Sequence, residues 1–218
     1  MSLALIAVAL AYAFDFANGF HDTANAVATI IYTRAMKART AIIMSGLLNF
    51  LGAVVVGTAV AVIITEVVPA DVVTIRLILA ALMGGLVWNL GTWYYGLPVS
   101  SSHTLVGSLV GAGLAASWLS GVQWGALTEI ILALLVSPVL GIGLAWMVTR
   151  LTLWIAGRRK TASTAHPKAL RWMTILSGAA VSFAHGSNDG QKTMGVITLV
   201  LIAEFGHPES AGVPFWVI

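Results

Sequence analysis

Two carboxylates stand where carboxylates are costly. Asp22 lies in FANGFHDTANA, residues 16–26, and Asp189 in FAHGSNDGQKT, residues 183–193, each within long apolar sequence. An ionised side chain at membrane depth is unfavourable by several kcal/mol unless it is paired or holds a cation. Asp22 and Asn25 are three residues apart and share one face of a helix; Asn188 flanks Asp189, with Gln191 and Lys192 just beyond. Oxygen donors from Asp, Asn and backbone suit a hard cation, so Asp22, Asn25, Asn188 and Asp189 are the candidate cation ligands. An Asp that merely caps a broken helix is the plainer reading, and the two roles coexist in discontinuous helices.

A third segment offers the opposite chemistry. Ser100-Ser101-Ser102-His103-Thr104 follows Pro98 and precedes the apolar run from Leu105 to Trp118, so it opens a helix inside an apolar segment. The free N–H groups and positive dipole end of such a turn favour an anion. One Ser suffices for a cap, whereas four hydroxyls and a His in five positions exceed that need. Ser101, Ser102, His103 and Thr104 are therefore candidate anion donors, with Asn25, Gln191 and Lys192 as further substrate contacts. An anion beside Asp22 and Asp189 is repelled by several kcal/mol per contact at low dielectric, so a cation such as Na+ or H+ must accompany it, with Lys192 contributing.

The elements that position these groups are membrane elements. Of 218 residues 59% are hydrophobic and 9% charged, with a mean hydropathy of +0.95; a soluble domain carries about 25% charged residues. The net charge of +3 falls between apolar blocks rather than in a nucleic-acid-binding patch, and the lack of cysteine removes disulfides, thiolate metal sites and a cysteine nucleophile. No basic residue precedes Arg34, so the first apolar stretch reads as a retained helix rather than a signal peptide. Charge-poor stretches at 1–14, 40–65, 77–128, 130–149 and 170–203 predict about six passes, the third stretch breaking at Tyr95-Gly96-Leu97-Pro98. Basic clusters at Arg34–Arg39 and Arg150–Arg171 place both on the cytoplasmic side and the N-terminus outside. The parity is the same if 76–121 is a re-entrant hairpin instead of two crossings.

The two Asp segments share F-A-[NH]-G-x-x-D at an offset of 167 residues: Phe16/Phe183, Ala17/Ala184, Gly19/Gly186 and Asp22/Asp189. One starts outside and the other in the cytoplasm, so the copies run oppositely through the bilayer. Inverted repeats with interrupted helices characterise secondary transporters. The expected fold is all-α and polytopic, with inverted-topology repeats, broken helices and a re-entrant helical hairpin. Its parts are a first repeat (1–157), a basic cytoplasmic linker (158–169) and the start of a second repeat (170–218).

GFHDTANA, HGSNDGQKTMG and GLPVSSSHTLVG together resemble the inorganic phosphate transporter (PiT) family across essentially the whole chain. The resemblance implies import of inorganic phosphate coupled to Na+ or H+, in some members as a metal–phosphate complex and in some relatives with sulfate, without a further cofactor. His21 stands where the first signature often has Asn, and the family's second P-x-S-x-x-H hairpin is absent before Ile218. The chain is thus expected to be the N-terminal part of a longer transporter, or to rebuild its site as a homodimer.

Other residues carry plainer readings. His21 and His103 lack the spacing of a zinc site, and His185 is expected to hydrogen-bond within the broken helix. Trp93, Trp124, Trp154 and Trp172 read as interfacial residues, Gly84, Gly85, Gly107, Gly111 and Gly113 as helix-packing positions, and Glu129 and Glu204 as solvated boundary charges. A channel and a His/Asp intramembrane hydrolase are the rival functions. A channel needs no inverted half-sites, and the Ser run has no carboxylate beside it to form a hydrolase.

Overall fold

The computed structural model describes residues 3–158, 167–206, 208 and 212–218. They form seven α-helices: α1 (Leu3–Tyr32), α2 (Ala38–Val55), α3 (Ala59–Thr65), α4 (Ile75–Tyr94), α5 (Ser101–Ser117), α6 (Trp124–Arg158) and α7 (Pro167–Phe205). A 3-10 turn, Trp118–Gly121, follows α5, and another, Phe215–Val217, closes the chain. The helices α1, α2, α4, α6 and α5 with its following turn are each long and apolar enough to cross a membrane. The chain is a multi-pass membrane protein. Most of the basic linker, residues 159–166, lies outside the described residues.

Both signature segments lie inside uninterrupted helices, contrary to the expected breaks. α1 runs for 30 residues through Asn18, Gly19 and Asp22, and α7 for 39 residues through Gly186 and Asp189. A continuous helix satisfies its own backbone groups, and the polar side chains find partners on the neighbouring helix. The break falls elsewhere. The single span expected over 40–65 divides at Val56–Thr58, where Gly57 takes φ +98°. That left-handed conformation ends helices and costs glycine little.

α7 lies antiparallel to α1. Arg171 Nε donates to the Ala35 carbonyl (2.6 Å), Gly178 packs on Ile30, and Asn18 meets Asp189, so numbers fall along α1 as they rise along α7. α2 covers α7 so closely that a Cβ on Gly52 would strike the Phe183 carbonyl, and one on Gly186 the Asn49 backbone.

The sequence left open whether 76–121 crosses twice or turns back, and α4 and α5 pack as an antiparallel pair whose register with α1 is fixed by two contacts. Phe14 packs on Gly85 and the Phe20 ring meets Trp93 (centroids 5.4 Å apart), so α4 runs parallel to α1. The tip, where Gly96 takes φ +68° and Pro98 follows, is therefore level with Phe20. It stops about 18 Å short of Tyr32 at 1.5 Å per residue. The return leg ends beside α3: Gly113 touches Val68, and Gln123 N–H donates to the Val67 carbonyl (3.0 Å). Residues 75–121 thus form a helical hairpin whose two ends lie near α3. Of the five glycines read as packing positions, Gly85 and Gly113 make close approaches, while Gly84, Gly107 and Gly111 have open space.

The main core joins Ala4, Ala7, Ala11 and Phe14 of α1 to Ile78 and Leu82 of α4, Leu105 and Leu109 of α5, and Val196 and Leu199 of α7. Alanines three or four apart let the helix backbones approach, the usual basis of association in lipid. α6 is exposed over most of its length.

Candidate functional site

The antiparallel register brings the two signatures together crosswise. Asn18 and His185 occupy the same position of the shared motif, as do Asp22 and Asp189. Asn18 Nδ2 donates to Asp189 Oδ2 (2.6 Å), and His185 Nε2 lies 3.6 Å from Asp22 Oδ2. Each copy's third residue thus meets the other copy's carboxylate, as a two-fold axis between the helices requires.

His185 joins the two pairs, with Nε2 also 3.3 Å from Asp189 Oδ2. Its orientation is set from α2: Asn49 Nδ2 donates to the Ser45 carbonyl (2.8 Å), which turns Asn49 Oδ1 toward His185 Nδ1 (2.7 Å). Nδ1 must therefore carry a hydrogen. A neutral ring would then aim the Nε2 lone pair at two carboxylates, and a proton on Nε2 or a cation among the three groups removes that conflict. Asp22, His185 and Asp189 place ligand atoms within 4.8 Å of one another. Asn18 is 2% exposed and its Oδ1 has no hydrogen-bond partner. Two carboxylates and an imidazole nitrogen thus lie close enough together to hold a cation. The spacing test for zinc, confined to one helix, could not see this cluster.

Asp189 also faces the hairpin. Its Oδ1 is 2.7 Å from Lys192 Nζ, which donates to Ser101 Oγ at 3.0 Å. Ser101 opens α5, and Ser100 caps it by accepting from the His103 N–H (3.4 Å). The N–H groups of Ser101 and Ser102 remain free for an anion, while that of Thr104 already bonds the Ser100 carbonyl (3.0 Å). A cleft of about 360 Å³ beside the carboxylates is lined by Asp15, Asn18, Thr23, Asn49, His185 and Asp189 among others.

The expected site residues divide. Asp22, Asp189, Lys192 and Ser101 come together through His185 and Asn18. Ser102, Asn188 and Lys192 line a second cavity between the hairpin tip and α6. Thr104 is buried, its hydroxyl donating to the Ser100 carbonyl (3.0 Å), and His103 is exposed. Gln191 is fully used in structure: Oε1 accepts from the Val60 N–H at the start of α3 (2.8 Å), and Nε2 donates to the Ser187 carbonyl (2.5 Å). Asn25 and Asn188 are exposed. The sequence reading passed over Asp15, Asn18 and Asn49 and kept His185 within its own helix. Asn18 was marked by sharing His185's place in the repeat, and Asp15 by its spacing to Asn18 and Asp22 along one helix face. Nothing near Asn49 in sequence marks it.

The pattern of the phosphate transporter family matches residues 18–218. A probable low-affinity inorganic phosphate transporter of Mycobacterium bovis is 44% identical across 99% of this chain and 52% of its own length. One from Bacillus subtilis is 41% identical over 99% of this chain and 65% of its own length. The low-affinity inorganic phosphate transporter PitA of Escherichia coli is 39% identical over 92% and 46%. The chain therefore spans roughly half to two thirds of these curated relatives. Among solved structures, the sodium-dependent phosphate transporter superposes with a TM-score of 0.82 at 25% identity, covering all of this chain and 72% of that one. By sequence pattern and by fold, the chain belongs to the phosphate transporter family.

Proposed function

We propose that the chain forms one half of a cation-coupled importer of inorganic phosphate, with the N-terminus outside and Na+ or H+ as the coupling ion. The observation that carries the reading is the Lys192 bridge. It joins the N-terminal turn of the hairpin's second helix to Asp189, which would set an anion site beside a cation site. Phosphate would lie against the Ser101 and Ser102 N–H groups, and the coupling cation beside Asp22 and His185, next to the Lys192–Asp189 pair. Each ligand then screens the other's repulsion, so that one binds well only with the other. Residues 1–157 would be the first repeat, 158–169 a cytoplasmic linker and 170–218 the opening of the second. A second hairpin, from further sequence of the kind the relatives carry or from a second copy of the chain, would meet Asn25 as the first meets Lys192.

The test is radiolabelled phosphate uptake into proteoliposomes of the transporter containing this chain, with Na+ and pH gradients imposed separately and sulfate as competitor. Accumulation against the phosphate gradient, driven by one of the two gradients, is expected. Flux that only equilibrates would indicate a channel, and preferred uptake of sulfate would reassign the substrate.

A further inference from the structure

The shared motif places Lys192 at the same offset as Asn25, three residues after its Asp, so one copy carries a neutral amide where the other carries an ammonium. Lys192 is 4% exposed, and its Nζ sits between Asp189 Oδ1 (2.7 Å) and Ser101 Oγ (3.0 Å). We propose that Lys192 is a built-in cation. It fills the Asp189 half-site permanently, so an exchangeable cation enters only on the Asp22 side. This rests on the reading of the chain as a cation-coupled transporter and deepens it: Lys192 fixes how many cations accompany the anion. The physical argument is short. Asp189 has one oxygen held by the ammonium and the other by Asn18 Nδ2, so a second cation there would face the ammonium within a few Å at low dielectric. Asp22 has no ammonium partner; its contact is the His185 ring, shared with Asp189, while Asp15, the other carboxylate of the adjoining cleft, lies on the Asp189 side of that ring.

Binding of radioactive sodium to the purified chain tests this without relying on transport. In an Asp22→Asn background, the chain with Lys192 should show no saturable binding. Lys192→Asn added to that background should create one saturable site, abolished again by Asp189→Asn. Lys192→Arg, which keeps the charge, should bind no sodium, and Lys192→Gln replaces the Asn variant if that one loses its helical circular dichroism. Equal sodium binding with and without Lys192 would overturn the proposal, as would a folded Lys192→Asn or Lys192→Gln variant that binds none. In the transporter containing this chain, Lys192→Asn should raise the Hill coefficient for the driving cation by about one. Absence of phosphate uptake in every variant would refute the transport reading while leaving the sodium result to stand or fall by itself.

Discussion

The two copies of the signature share four residues and a helical backbone yet sit in different surroundings. In α7, Gly186 lies against the Asn49 backbone of α2, and Lys192 reaches the hairpin tip at Ser101. In α1 the matching Gly19 has nothing within 4 Å of where a Cβ would stand, Phe16 is 76% exposed, and Asn25 is exposed. The covered copy shows what the motif is for: glycine admits a neighbouring helix, the Asp faces the opposite copy, and the residue three positions on meets a hairpin. The open copy presents the same face without such neighbours among the described residues.

Substituting the carboxylates should separate the copies most strongly. Asp189→Asn strands a buried ammonium, a loss of about 3–5 kcal/mol where one partner of a buried pair is removed. Asp22→Asn leaves no such group and should cost less than about 1 kcal/mol of stability. Both should abolish coupled uptake, because the amide keeps the shape but not the charge. Thermal denaturation in detergent, set beside uptake by the transporter, reads the two effects. Equal stability losses would break the comparison, and normal cation-dependent uptake in both variants would remove the assigned role.

The glycines should differ next. Gly186→Ala forces α2 and α7 apart and should destabilise by about 2 kcal/mol. Gly19→Ala meets open space in mid-helix and should be neutral or stabilising by up to about 1 kcal/mol. Chemical denaturation of the purified chain measures both, and similar costs would mean that the face of α1 is covered after all.

A further difference is expected at the hairpin tip, in affinity rather than stability. Ser102→Pro removes a free N–H from the first turn, where proline is otherwise accepted, whereas Ser102→Ala removes only a hydroxyl. Phosphate affinity should fall by about 1–3 kcal/mol for Pro and by less for Ala. Thr104→Pro is a poorer probe, since it also breaks the Thr104-to-Ser100 backbone bond. Equal and mild losses in the two Ser102 variants would remove the helix-end anion site.

The sequence made much of this legible, and for identifiable reasons. Gly96 and Pro98 marked the hairpin tip because backbone punctuation is local, and the Asp pair was visible because charge is rare in apolar sequence. The helix interruptions were misread for the same reason in reverse. Gly, Asn and Asp within 16–26 suggest a break when taken locally, but Asn18 and Asp22 meet Asp189 and His185 of α7 without one, and the helix continues. Asn49 lay beyond sequence reading because its role exists only where α2 meets α7. Asn25 shares a helix face with Asp22, but the group that meets Asp22 is His185 of α7.

The proposed function requires anion and cation to bind interdependently between the hairpin tip and the crossed Asp pairs. Linkage tests it directly: phosphate affinity measured across a titration of the coupling cation, and cation affinity across a titration of phosphate, on the transporter containing this chain. Each ligand should tighten the other by the same factor, and Asp22→Asn should reduce that factor to one. Phosphate that binds equally well without the cation, or a coupling factor unchanged by Asp22→Asn, would contradict the account.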